Sequence, residues 1–304
     1  ATYWSGDLGD AEARLHEAVP LLKRSGNTYT QMVSAHMLRH AYAYLRSTTA
    51  EEEVAREVLR LAHETGNVQC TCWGWYDVAS ALSRRGSLPE GMTHMQQSFG
   101  ALTNERFNMT EAIRASAYGY VLLQASQYRT ARESALEGWK LVMKCPIDVT
   151  MFSLPVLIES IVGPTWTSRM PSTDVALLRP LLRWAVVVHF SYPNHQPHLQ
   201  RVAGRAFCSL GKPSKAIRKF EKAIKLASKK GMDYQRARSL LDLAAVKEEG
   251  RTENRAEAIE LLKKMESVIP RAESWLLGDQ YDETVVAPKF DLEAWERENG
   301  QIVK

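Results

Sequence analysis

Apolar residues recur at every third or fourth position along most of the chain, with charged residues between them. This is the periodicity of amphipathic helices that bury one face. The clearest stretch runs from Gln196 to Met232 and reads as two helices back to back, with Gly211 in the turn. In the first, small Ala203 and Gly204 stand near Phe207. In the second, Pro213, Ala216, Phe220 and Ala223 follow Gly211 at offsets of 2, 5, 9 and 12. Small side chains at these points let two helices approach closely, and aromatic rings fill the groove beside them.

The same offsets recur elsewhere. Gly6 is followed by Leu8, Ala11, Leu15 and Ala18; Gly86 by Leu88, Gly91, Met95 and Ser98; Ser126 by Tyr128, Ala131, Ala135 and Gly138. Weaker copies place Ala55, Leu59 and Ala62 after a loop at 47–50, and Ala258, Leu262 and Met265 after a linker through Arg251–Glu253. Turn anchors therefore fall near positions 6, 50, 86, 126, 211 and 253, and the one double-length gap predicts a degenerate copy at about 146–194. Its helices are expected near Phe152–Val162 and Thr173–His189, with Pro180 kinking or shortening the second. Glycines in Ser25-Gly26-Asn27, Thr65-Gly66-Asn67 and Lys230-Gly231-Met232 suit the left-handed position that ends a helix.

Trp75, Val78, Ala79 and Leu82 before Gly86 approach the W-x2-L-G-x2-Y spacing of a first repeat helix. With the turn and offset pattern, this resembles the tetratricopeptide-repeat family. The period exceeds that family's standard ~34 residues. It is similar to the long-period helical arrays of signal-transduction ATPases, and of cyclases or kinases that carry such ATPase modules. The resemblance implies an all-α, right-handed superhelix of about six to seven antiparallel helix pairs. It spans residues 1–270, with 271–304 as a capping segment or tail in which Asp291 caps a short helix. A sharper expectation for the tail is that it docks in the array's own groove.

Composition narrows the function classes. The excess of 39 Lys+Arg over 35 Asp+Glu is too small to imply a nucleic-acid partner. No run of ~18 apolar residues predicts a membrane span. Four cysteines, Cys70, Cys72, Cys145 and Cys208, form no disulfide framework and fit a reducing cytoplasm. The chain starts without Met, inside a repeat, so it is expected to be a piece of a larger signalling protein. It has no phosphate loop, no H-E-x2-H and no G-x-S-x-G, so no catalysis and no cofactor are expected. Nor is a metal. His36 and His40 lie one helical turn apart with no third ligand evident, His189, His195 and His198 share a loop region without a cysteine or carboxylate, and Cys70 and Cys72 diverge on a helix.

In the resembling family, the first helix of each repeat lines a concave face. Carried onto this chain, that implies a groove formed by Tyr42, Trp73, Tyr76, Tyr120, His198, Arg201, Arg205 and Arg238. Its N-terminal half is aromatic, while the arginines of its C-terminal half suit a carboxylate or phosphate. The expected role is a non-catalytic regulatory scaffold binding a protein or peptide, including another domain of the same polypeptide. A small-molecule or peptide sensor is the first alternative. The second is nucleic-acid binding through residues 201–264, where 17 Lys/Arg face 8 Asp/Glu. Lys215, Arg218, Lys219, Lys222 and Lys225 there also read as a solvated outer face around Ala216, Phe220 and Ala223.

Overall fold

The computed structural model describes residues 7–101, 108–143, 150–164, 166–168 and 170–302, and it is all-α. Among the described residues six helical pairs follow one another, the first beginning at Leu8, and a thirteenth helix follows with the C-terminal segment. They are α1 (Leu8–Ser25) and α2 (Thr28–Leu45), α3 (Thr48–Thr65) and α4 (Val68–Arg85), α5 (Leu88–Ala101) and α6 (Asn108–Gln124), α7 (Tyr128–Val142) and α8 (Thr150–Val162), α9 (Ser172–Ser191) and α10 (Gln196–Ser209), α11 (Pro213–Lys230) and α12 (Asp233–Val246), then α13 (Arg251–Lys264) with the C-terminal segment. Neighbouring helices pack in succession, the arrangement of a helical solenoid.

Local chemistry explains the boundaries. Gly26, Gly66, Gly86 and Gly231 end α1, α3, α4 and α11 in the left-handed conformation. Asn27 and Asn67 then cap the next helices through their side chains. Ser126 occupies the same left-handed region (φ 63) without glycine's freedom, and its hydroxyl accepts the Ala272 N–H at 3.0 Å. The predicted offsets mark the core: Ala216, Phe220, Ala223, Ala131, Ala135, Leu88 and Met95 are all buried. Gly204 is where Phe220 lies closest, since a Cβ there would stand 2.4 Å from the ring.

Three local expectations differ from the structure. The loop expected at 47–50 is shorter, because α3 begins at Thr48. Arg251–Glu253 are the first turn of α13 rather than linker. Helix α9 continues through Pro180, since Leu181, Ala185 and Val188 beyond it are buried and hold that turn in place. Gly6, Cys145 and the His189 side chain lie outside the described residues.

The second helix of each pair, α2, α4, α6, α8, α10 and α12, packs on its counterparts in the neighbouring pairs. Helix α12 in turn meets α2, so these six form a closed inner ring among the described residues. Leu8 and Ala11 of α1 join Ala227 and Met232 in one apolar cluster, which seals the same junction from outside. After α13 the chain does not simply cap the last pair. Val268 N–H donates to Arg84 O at 2.8 Å, Tyr128 Oη donates to Glu273 at 2.8 Å, and Gln96 Nε2 donates to Asn299 O at 2.8 Å. The segment therefore strings together the end of α4, α5, the start of α7 and the last pair. Its short helix Leu292–Asn299 (α14) is capped by Asp291, as expected.

Candidate functional site

The inner ring surrounds a half-open cavity of about 160 Å3. Its wall is built from rows one helical turn apart: Arg39, His40 and Tyr44 on α2; Tyr76, Ser80 and Arg84 on α4; Ile113, Tyr120 and Gln124 on α6; Val156 and Glu159 on α8; His198 and Arg201 on α10; Tyr234, Gln235 and Arg238 on α12. Residues three and four apart share a helix face, so each inner helix contributes a stripe.

Of the eight residues expected to line a groove, Tyr76, Tyr120, His198, Arg201 and Arg238 reach this cavity. The other three do not line it. Tyr42 points outward to His16 of α1. Trp73 packs between helices, stacked on His36 at 4.8 Å, with its Nε1 donating to Thr110 Oγ1 at 3.2 Å. Arg205 is fully buried behind the wall. Aromatic and basic ends, expected at opposite ends of an open groove, face one another across a single space. Sequence reasoning missed Arg84, Gln124 and Tyr234, although each lies one or two helical turns from a residue it named: Tyr76, Tyr120 and Arg238.

The inner charges form two networks. In one, Arg205 donates to Asp242 through Nε and Nη2 (both 2.7 Å), to Glu273 through Nη1 and Nη2 (both 2.7 Å), and to Glu159 at 3.1 Å. Arg201 grips both oxygens of Glu159 at 2.9 Å, and Arg238 reaches Glu273 at 2.7 Å. In the other, Glu51 holds Arg84 at 2.6 Å and Arg39 at 3.2 Å, and Arg39 also pairs with Asp77. Five buried arginines thus meet five buried carboxylates around the cavity. The arginines expected to clasp a ligand's anion already hold carboxylates of their own chain. Burial works to raise the Glu273 pKa, but Arg205 and Arg238 outweigh it and hold the carboxyl at about 2. For Glu159 the same contest, won by Arg201 with His198 and Arg205, ends well below the usual range.

Burial lowers the pKa of the four inner histidines, His36, His40, His195 and His198. Burial, reinforced by the Arg39 charge, lowers His36 to about 3, and its Nδ1–H donates to Asp77 Oδ2 at 2.6 Å. His36 Nε2 lies 3.1 Å from His40 Nε2, which makes a relay from a buried carboxylate towards the cavity. Asp77 is the third group that the sequence left unseen. The ligand atoms of His36, His40 and Asp77 lie within 4.8 Å of one another, close enough to share a metal, while the Arg39 charge on Asp77 opposes a cation there. Burial takes His195 to about 3, and it pairs with Tyr44 Oη at 2.9 Å, whereas His198 turns to Glu159 at 3.5 Å. Cys70 and Cys72 are buried thiols, and burial pushes Cys70 up to about 11.

Beside the Nε groups of Arg39, Arg84, Arg201 and Arg238, which are likewise without a partner, three uncharged polar atoms of wall residues stand out: Tyr76 Oη, Gln124 Oε1 and Gln235 Oε1. Each is buried and has no hydrogen-bond partner among the described residues. Their residues are 1%, 2% and 8% exposed. Such atoms cost free energy unless something meets them. No helix among the described residues is long and apolar enough to cross a membrane. No protein-family model matches the chain, and no curated protein matches it significantly.

Proposed function

We propose that this chain is a sensor module, a helical array resembling the tetratricopeptide type, whose inner cavity takes up a small molecule. The observation that carries this reading is the set of unpartnered buried atoms, Tyr76 Oη, Gln124 Oε1 and Gln235 Oε1, on residues that line one space from three helices. A cavity of about 160 Å3 supports a small ligand over a peptide; a cavity near 150 Å3 takes benzene. Because α2 and α12 meet across the same space, a ligand there stabilises the closed ring relative to an opened array. In a larger polypeptide that bias is what an attached domain would read.

A protein-contact role has separate support on the outside. Val186, Val187 and Phe190 of α9 are 55%, 45% and 77% exposed, an apolar patch of the kind that marks interaction surfaces. The solvated stripe of α11 around Phe220 adds nothing for nucleic acid beyond ordinary surface charge.

The test is a melting-temperature screen of the purified chain against a metabolite library. The expected result is at least one compound that raises the melting temperature by several degrees with saturation, through linkage. The effect should vanish in Gln124→Met. Absence of any saturable compound, with binding confined to protein partners that are blocked by Phe190→Asp, would overturn the sensor reading in favour of a scaffold.

A further inference from the structure

Building on the sensor reading, we propose that the ligand is an uncharged heterocycle of nucleobase size that donates at least two N–H hydrogen bonds. The first argument is charge. Arg39, Arg84, Arg201 and Arg238 line the cavity, but each pairs with a carboxylate of the chain. With Arg205 they balance Glu51, Asp77, Glu159, Asp242 and Glu273 one for one. Because the chain's own charges already cancel, a charged ligand would enter a low-dielectric interior as an uncompensated charge, or would break one of these pairs and strand its partner. Both are strongly unfavourable. A neutral ligand disturbs nothing.

The second argument is the sense of the unpartnered atoms. Gln124 Nε2 donates to Tyr234 Oη at 3.4 Å, which leaves its carbonyl oxygen as an unpartnered acceptor. Gln235 Oε1 is a second acceptor, and the Tyr76 hydroxyl both gives and takes. The Nε–H groups of Arg39, Arg84, Arg201 and Arg238 on the same wall are also unpartnered, so the ligand brings two donors for the glutamines and acceptor atoms as well. Ring nitrogens and amino groups do this with few polar atoms.

The third argument is the rest of the wall. Ile113, Leu123, Val156 and Pro155 offer no hydrogen bonds, and Tyr120 presents a ring. A polyol of similar size carries five or so hydroxyls and would strand several against these residues. A flat ring buries its faces there and spends its polar edge on the two glutamines. A cavity of about 160 Å3 has room for a base.

Calorimetric titration of the full chain tests this with adenine, cytosine, their 5′-monophosphates, N-methylated bases that lack the donors, and glucose. The expected result is binding of adenine or cytosine. It should weaken at least tenfold on N-methylation or on adding the sugar phosphate, and at least tenfold in Gln124→Met or Gln235→Met. The melting temperatures of these ligand-free variants should be unchanged or raised, which separates lost contacts from lost folding. If either variant does not fold, Tyr76→Phe takes its place with the same expectation. Tighter binding of a monophosphate or of glucose, or no binding by any base, overturns the proposal. If another library compound still binds and is lost in Gln124→Met, the sensor reading stands and only the heterocycle falls. If none does, both fall.

Discussion

Replacing Arg205 by methionine tests the description of the interior most directly. The guanidinium is fully buried and makes five hydrogen bonds to three carboxylates, those of Asp242, Glu273 and Glu159. It also lies over the Trp166 ring, 5.4 Å from its centroid. Methionine fills much of the same volume, so the packing loss is small. The electrostatic loss is large: three carboxylates remain against Arg201 and Arg238, and one negative charge is left uncompensated away from water. Removing one member of a buried ion pair typically costs about 3–5 kcal/mol. For a chain of this length that lowers the melting temperature by roughly 5–8 °C. Urea unfolding should show a lower midpoint at constant slope. Adding Glu273→Leu restores the balance of two against two, so the double variant should be more stable than the sum of the single effects requires. Lys222→Ala on the solvated face of α11 should stay within about 0.5 kcal/mol of the parent. An Arg205→Met protein within about 1 kcal/mol of the parent would refute the network. It would return Arg205 to the ligand-facing role its sequence position implied.

Further outcomes follow from the same structure. Tyr76→Phe removes a buried hydroxyl without a partner and should stabilise the ligand-free protein by about 1–3 kcal/mol, read as a raised urea midpoint. A lowered midpoint would mean the hydroxyl is satisfied. Gly204→Ala places a methyl group 2.4 Å from the Phe220 ring and should cost about 1–3 kcal/mol, partly recovered by Phe220→Leu in a thermal melt. Stability should fall on acidification from pH 6.5. Above that pH the imidazoles are neutral in both states. Below it the unfolded chain binds protons that His36 and His195, held at about 3, refuse. At pH 5 this amounts to about 2 kcal/mol for each histidine. The Glu273 contribution, present above pH 4.5, is lost only as pH falls from there towards 2. Urea midpoints that are equal at pH 7.5 and 5 would contradict the burial of these imidazoles.

Much of the architecture was legible because it rests on short-range rules. Turn glycines, the Asp291 cap and the spacing of Ala216, Phe220 and Ala223 depend on near neighbours in the chain, and all appear where they were expected. The inner face was legible in part. Tyr76, Tyr120, His198, Arg201 and Arg238 share a stripe on their own helices, and a stripe can be read from spacing. What that stripe meets cannot. Arg205 and Glu273 are 68 positions apart, and Tyr44 and His195 are 151 apart. Their pairing depends on the small rotation between successive helical pairs, summed over the whole array, and no local pattern encodes that sum.

The sequence by itself therefore determined a chain of amphipathic helical pairs, their caps and their close-packed core. The tertiary structure decided that the array closes, that α12 meets α2, and that the C-terminal segment carries Glu273 inward. Closure turned an expected groove into a cavity and spent its arginines on the chain's own carboxylates. Buried charges seek the nearest opposite partner, and only the closed ring determines which partner is near.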